Sequence, residues 1–334
     1  MPLLTRRRLA AFTAMALFTT ASQANEDLTQ APDNITAVDM INLFEQLNGP
    51  QPGFRKGHAK GVCAAGMFTP TEQANARFDS PLFDQPSAFI ARFSMGGGNP
   101  HADESSRSAR GVALQFQLPE GARHQIAGLT TPVFAGKTPE QFFGLLRVMH
   151  AMRTGKADDS TLKGYFANNP EAAAAAGWLQ QHAPGAEYTS TRYFGVHTFY
   201  ANDEAGDRVK FRWTLEPQDG ETLLTEEQMN ALPDTFLAER LAKRLGDSAV
   251  TYDWYWVIGE EQDPDIDPSK AWPDDRLRIK VGTVTFDNAD TEACEPVNFD
   301  PNVVASGIMP SDDPVLRMRS AAYAISFGKR LSGQ

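Results

Sequence analysis

Residues 112–118 read Val-Ala-Leu-Gln-Phe-Gln-Leu. Val112, Leu114, Phe116 and Leu118 alternate with Ala113, Gln115 and Gln117, the period of a strand with one buried face. Upstream the same period holds: Phe89, Ala91 and Phe93 face one way, while Ile90, Arg92 and Ser94 face the other. Downstream, residues 193–200 and 209–215 are two strand runs separated by Asn202-Asp203-Glu204-Ala205-Gly206, the composition of a hairpin turn. Residues 252–258 and 277–286 add two more strands.

Helices are inserted between these strands and appended after them. Residues 36–47 form a short amphipathic helix with Val38, Ile41, Leu43 and Phe44 on its apolar side, ended by Asn48-Gly49-Pro50. Thr138-Pro139-Glu140-Gln141 is a capping box with proline at the first helical position, opening a helix to about Arg153. Thr225-Glu226-Glu227-Gln228 repeats the signature, and residues 234–245 continue after Pro233 to a stop at Gly246. A last helix runs from Ser311-Asp312-Asp313-Pro314 to about Leu331. The predicted class is α+β, built on one antiparallel sheet or barrel.

At the N-terminus, Arg6-Arg7-Arg8 precede an apolar stretch over residues 9–20 and the small residues Ala21, Ser22 and Ala24. This is the layout of a signal peptide over residues 1–24, and the paired arginines suggest twin-arginine export. A membrane anchor is the alternative, against which the apolar run is short. Residues 25–35 read as a solvated lead-in and 36–334 as one domain. The expected location is the periplasm. No internal run is long enough to span a bilayer, so no stable membrane insertion is expected. The net charge of −11 becomes more negative once Arg6, Arg7 and Arg8 leave, which argues against nucleic acid as a partner. Two cysteines, Cys63 and Cys294, permit a disulfide in an oxidising compartment but do not make a stapled scaffold; Cys63 reads as a buried inert thiol.

Three groupings bear chemistry. Arg319 and Tyr323 are four residues apart on one face of the last helix, with Arg330 seven beyond on the same face, within reach of an acidic group further along. A guanidinium and an iron beside a phenol would favour the phenolate, a hard axial ligand. Arg55-Lys56-Gly57-His58-Ala59-Lys60-Gly61 presents one histidine among glycines, as a base or as a structural residue. Arg92 and Ser94 share a strand face. Taken singly, each is also an ordinary helix surface, loop histidine or polar strand face.

Together and in this order these segments resemble the catalase family, from about Gly53 to Leu331. Arg55-x-x-His58-Ala59-Lys60-Gly61 is similar to the family's distal-histidine motif, with Ser94 matching the serine that orients it. Arg55, Arg92 and Arg330 fall where the family's arginines neutralise the haem propionates. Phe134 and Phe142 match aromatic residues over the distal face. Gly195-Val196-His197-Thr198-Phe199 resembles the stretch whose histidine lies near the proximal side, and Arg319-x-x-x-Tyr323 resembles the proximal helix. The resemblance implies a catalase-like fold around an antiparallel barrel and haem b ligated by Tyr323. No Cys-x-x-Cys-His site occurs, so thioether attachment is not expected.

Two departures shape the expected activity. The family's Asn-Asn-Thr-Pro-x-Phe reads Leu129-Thr130-Thr131-Pro132-Val133-Phe134, so the asparagine that positions peroxide is Leu129. Loss of one such donor costs roughly 10²-fold or more in rate, which favours a peroxidase using an external small-molecule reductant over an efficient catalase. Gly57 stands where an apolar residue usually lies against the haem, opening room for a larger peroxide. The chain is similar to the small catalase-related peroxidases that lack the long N-terminal arm and C-terminal extension, which implies a monomer or homodimer. Alternatives are a fatty-acid hydroperoxide isomerase or lyase and a non-enzymatic haem-binding protein. His101, His124, His150 and His182 carry no motif and read as structural or exposed.

Overall fold

The computed structural model describes residues 27–289 and 292–333, so the signal peptide expected over residues 1–24 lies outside the described residues. In chain order the strands are β1 (Gly61–Pro70), β2 (Ser87–Met95), β3 (Arg110–Gln117), β4 (Arg123–Leu129), β5 (Tyr193–Asn202), β6 (Arg208–Pro217), β7 (Val250–Ile258), β8 (Arg278–Asn288) and β9 (Ile308–Pro310). The helices are α1 (Ala37–Asn48), α2 (Glu72–Arg77), α3 (Pro139–Arg153), α4 (Asp159–Asn168), α5 (Pro170–Gln181), α6 (Glu226–Ala231), α7 (Leu237–Asp247) and α8 (Pro314–Leu331).

Strand order is β4-β3-β2-β1-β8-β7-β6-β5, and β4 pairs with β5, so these eight strands close into an antiparallel barrel; β9 adds to β5. Closure at the last seam rests on one pair, Leu129 opposite Phe194. Alternation fills the interior: Phe89, Ala91, Phe93, Leu114 and Phe116 all belong to the buried core. Aromatic rings plug it, with Phe116 stacked on Trp254 at 5.3 Å between centroids and Phe211 on Trp256 at 3.6 Å. The barrel is a packed core, and the residues that alternate outward, Arg92 and Ser94 among them, meet the helices.

Two strands carry too weak a pattern to read from sequence. β1 is rich in Gly and Ala and has no polar alternation, because its backbone lies close to its neighbours: a Cβ on Gly66 would sit 1.9 Å from the Thr285 carbonyl oxygen. β4 begins Arg-His-Gln before its apolar residues.

Helix starts differ in detail. Thr138 caps α3 through the Gln141 N–H, but the Gln141 side chain takes the Lys137 N–H instead of completing a capping box. Thr225 and Gln228 do form one. α7 begins at Leu237 rather than Asp234, because the Lys60 ammonium holds the Asp234 carbonyl and the Thr235 hydroxyl. Its first N–H groups, from Phe236 and Leu237, donate to the Glu104 carboxylate instead.

Two further expectations are corrected. Cys63 is not a free thiol: it forms a disulfide with Cys294, 231 residues away. The lead-in is not merely solvated either. Leu28 packs against Leu145, Val148 and Tyr165, and Ile35 against the Met40–Leu43 cluster. Among the described residues no helix is long and apolar enough to cross a membrane.

Candidate active site

On the outer wall of the barrel, over β2, β3 and β4, lies a cavity of about 230 Å³ roofed by α1, α3 and α8. It brings together Arg55, His58, Arg92, Ser94, Phe134, Phe142, His197, Arg319 and Tyr323, nine of the ten side chains expected from sequence. The tenth, Arg330, is buried behind the wall and bonds the Glu295 carboxylate at 2.8 Å. α8 supplies one continuous face: Val315, Met318 and Ala322 line the cavity beside Arg319 and Tyr323, at the spacing of one helix side.

His58 has φ of +53°, in the left-handed region, and so points away from the path its neighbours take. Its Nδ1 is 3.0 Å from Ser94 Oγ. Arg92 holds the turn by donating to the carbonyls of His58 at 2.8 Å and Ala59 at 3.0 Å. Gly111 faces Ser94 across β2 and β3, and a Cβ there would lie 3.0 Å from both the His58 ring and Ser94 Oγ. Gly61 makes room in the same way for the Arg92 guanidinium, which a Cβ would approach to 2.6 Å. Gly61 stood in the motif; Gly111 did not, and only the strand register reveals it.

Burial, then the cations Arg92, Arg319 and Arg55, hold His58 down at about 4. The imidazole is therefore neutral at neutral pH. In the tautomer where Nδ1–H donates to Ser94, Nε2 carries the lone pair of a base.

At the opposite wall, Arg319 donates to the Tyr323 phenol oxygen. His197 Nδ1 lies 2.6 Å from Asp313 Oδ2, and the other Asp313 oxygen caps α8 through Val315 N–H at 2.8 Å. Burial outweighs the Asp313 carboxylate and lowers the His197 pKa, so a neutral ring donates to the aspartate. Asp313 was visible in sequence only as a helix start.

A third feature is an excess of cations. Burial and the neighbouring Arg92 and Arg330 guanidiniums push Arg55 down to about 9. Arg55 donates to the carbonyls of Cys294 and Val297, both at 3.1 Å, and among the described residues its Nε and that of Arg92 have no partner. Glu295 is the carboxylate that pairs with this group, through Arg330, and it is itself half exposed. Buried guanidiniums so short of counter-charge fit a ligand that carries carboxylates. With a phenol oxygen backed by a guanidinium and walls of Phe, Met, Val and Ala, the donor set fits haem: Arg55 and Arg92 would meet its carboxylates, with Arg330 behind them, and Tyr323 would hold its iron.

The remaining departures are placed as well. Leu129 lines the cavity. A Cβ on Gly57 would reach only Phe44 on α1, at 3.6 Å, so the room that Gly57 leaves is bounded by that ring. Met40 and Ile41 join Phe44 on the wall, a contribution of α1 that its amphipathic pattern did not distinguish from core. Cys63, Cys294 and Glu295 cluster, but the two sulfurs are bonded to each other and do not form a metal site. Of the other histidines, His124 is buried and accepts the Ala305 N–H, while His101 and His182 are exposed.

The family model described as Catalase matches residues 19–334. A catalase-related peroxidase from Synechococcus elongatus is 39% identical over 308 residues, 91% of this chain and 91% of that protein. One from Mycolicibacterium paratuberculosis is 34% identical over 87% of this chain and 94% of its own length. Among solved structures, a fungal catalase superposes with a TM-score of 0.74 at 21% identity, covering 83% of this chain and 59% of that one. Catalase A from Saccharomyces cerevisiae gives 0.72 at 21% identity, over 88% of this chain and 64% of that one. With the barrel, the His58–Ser94 pair and the Arg319–Tyr323 pair in place, the chain belongs to the catalase family.

Proposed function

We propose that the protein is a haem b peroxidase, reducing hydrogen peroxide or organic peroxides with an external small-molecule electron donor and dismuting peroxide weakly. Family membership supports an oxidoreductase acting on peroxide. The observation that carries the finer reading is the juxtaposition of a neutral, serine-held His58 with an apolar Leu129 in one cavity.

When bound, haem would supply redox-active iron, held by Tyr323, that takes up the oxidising equivalents of peroxide. The chain's own residues do the proton work. His58 Nε2 removes a proton from one peroxide oxygen and returns it to the other as the bond between them breaks. Ser94 keeps the ring in the tautomer that allows this. Arg319 holds the Tyr323 oxygen from the side. Leu129 offers no hydrogen bond to a second peroxide, so reduction back to the resting state falls to another donor. The apolar wall of Met40, Ile41 and Phe44 suits an organic hydroperoxide and supports lipid-hydroperoxide isomerisation as the second reading.

Export to the periplasm is part of the proposal. Arg6-Arg7-Arg8 and the apolar stretch after them support it, as does a disulfide that needs an oxidising compartment.

Stopped-flow absorbance of the holoprotein mixed with hydrogen peroxide, with oxygen followed in parallel, tests the activity. A long-lived oxidised state, little oxygen and return on adding a phenolic donor are expected. Rapid return with vigorous oxygen release would identify an efficient catalase. Isomerised lipid product without donor consumption would favour the second reading.

A further inference from the structure

Between the end of β8 at Asn288 and β9 at Ile308, the described residues form neither helix nor strand. Yet this segment holds Arg55, which lines the cavity, and Arg330, which is buried behind its wall. The carbonyls of Cys294 and Val297 each accept from Arg55 Nη2 at 3.1 Å, and the Phe299 ring lies 5.9 Å from its guanidinium carbon. The Glu295 carboxylate and carbonyl both accept from Arg330. Arg55 arrives from the turn before β1 and Arg330 from the end of α8, so neither is aimed by its own element alone.

The segment itself is tied to the barrel at Cys294. Its disulfide partner Cys63 stands on β1 directly opposite Arg92, the third arginine, and accepts the Cys294 N–H at 3.1 Å. Cys63, Cys294, Val297 and Phe299 form one small buried cluster outside the main core. One covalent bond thus fixes the distance between the strand that carries Arg92 as its neighbour and the loop that orients Arg55 and Arg330.

Resting on the haem reading of the cavity, we propose that Cys63–Cys294 is a positioning pair for the carboxylate-binding arginines: it sets the haem release rate by holding the 294–299 segment in register with β1. A bond that acted only as a staple would stabilise the chain with or without haem and regardless of Arg55. A positioning pair acts through the arginines.

The experiment compares holoprotein carrying the bond with the same chain produced in a reducing compartment, its two thiols counted by alkylation and mass. Haem transfer to excess apomyoglobin gives the release rate, and resonance Raman reports the propionate bending bands. Release about tenfold faster without the bond, the worth of one charge-assisted hydrogen bond, is expected, with shifted propionate bands. In an Arg55→Leu background the bond should change release by less than about twofold, since coupled residues are non-additive. Glu295→Ala, which keeps the bond but frees Arg330, should speed release in the same direction. Equal release rates with and without the bond overturn the proposal, as does the same tenfold change in the Arg55→Leu background. Loss of the fold without the bond, seen by circular dichroism, together with unchanged release from Glu295→Ala, would make it a staple. A bonded wild-type chain that takes up no haem removes the functional reading and this proposal with it.

Discussion

His197 Nδ1 and Asp313 Oδ2 are 2.6 Å apart, both buried, and join the middle of β5 to the N-cap of α8. One carboxylate thereby serves a ring N–H and the Val315 and Leu316 N–H groups, and sets the angle and depth at which α8 crosses the cavity. Asp313→Ala removes the cap, worth about 1 kcal/mol, and leaves a buried imidazole N–H unpaired, worth about 1–3 kcal/mol. The thermal midpoint should fall by roughly 3–6 °C, with weaker haem uptake because Tyr323 is on the displaced helix. Asp313→Asn keeps one acceptor oxygen, for the cap, and turns its amide N–H toward the ring, which can accept it only in the other tautomer, so it should lose less than Asp313→Ala. A midpoint for Asp313→Ala within a degree or two of wild type would show that α8 is seated by its apolar face alone.

The low pKa of His58 fixes the pH profile of the first chemical step. Burial and the Arg92, Arg319 and Arg55 charges hold it near 4, so the base stays unprotonated well below the usual 6.5. Peroxide reaction measured by stopped flow should be flat from pH 8 to about 5 and fall through about 4. Halving of the rate already at pH 6 would contradict this. His58→Ala should slow the step by about 10²-fold or more, and Ser94→Ala by less.

Stability carries the opposite face of the same shift. His58 and His124 both have folded pKa values below 6.5, near 4 and near 3, so the unfolded chain binds protons first. Their contribution is whole above pH 6.5 and is lost as the pH drops toward 4. Denaturant midpoints should therefore decline steadily between pH 7 and 4. For His124 burial alone is the cause, so replacing it with a residue that does not titrate should make that decline shallower throughout.

Gly111 tests the geometry around the base without removing a polar group. Its missing Cβ leaves the 3.0 Å gaps to the His58 ring and Ser94 Oγ, tighter than ordinary contact. Gly111→Ala should displace the ring by a few tenths of an ångström and slow peroxide reaction by roughly tenfold, the scale of a misplaced catalytic group. The absorption spectrum of the bound haem should be preserved, since Tyr323 is on another wall. An altered spectrum with an unaltered rate would mean that the cavity yields on the α8 side instead.

Local spacing made part of this site legible, and long-range register hid the rest. Arg319 and Tyr323 declare themselves at i and i+4, and Arg92 and Ser94 by strand parity, because both relations lie within one element. The alternation of β2 and β3 similarly exposes two of the eight barrel strands. Gly111 becomes meaningful only once it is paired with Ser94, and Asp313 only once 116 residues of chain bring it to His197. The Cys63–Cys294 bond spans 231 residues, and two cysteines alone do not say whether they meet. β1 escaped because close backbone approach at Gly66 selects small residues over an alternating pattern.

The proposed balance between peroxidase and catalase chemistry can be tested at Leu129. It ends β4, lines the cavity, and is held by its pairing with Phe194 at the barrel's closing seam, so its backbone position is fixed whatever side chain it carries. Asparagine shares leucine's branched outline, though it is smaller, and would present an amide to the cavity that His58 also lines. Leu129→Asn should therefore keep the first-step rate and raise oxygen release by roughly 10–10²-fold, the worth of one well-placed donor. Turnover with a phenolic donor should drop in proportion, because the second peroxide then competes for the same oxidising equivalents. Oxygen release unchanged by Leu129→Asn, with the first step intact, would place the limit on dismutation elsewhere, with the apolar wall of Met40, Ile41 and Phe44 as the next residues to change.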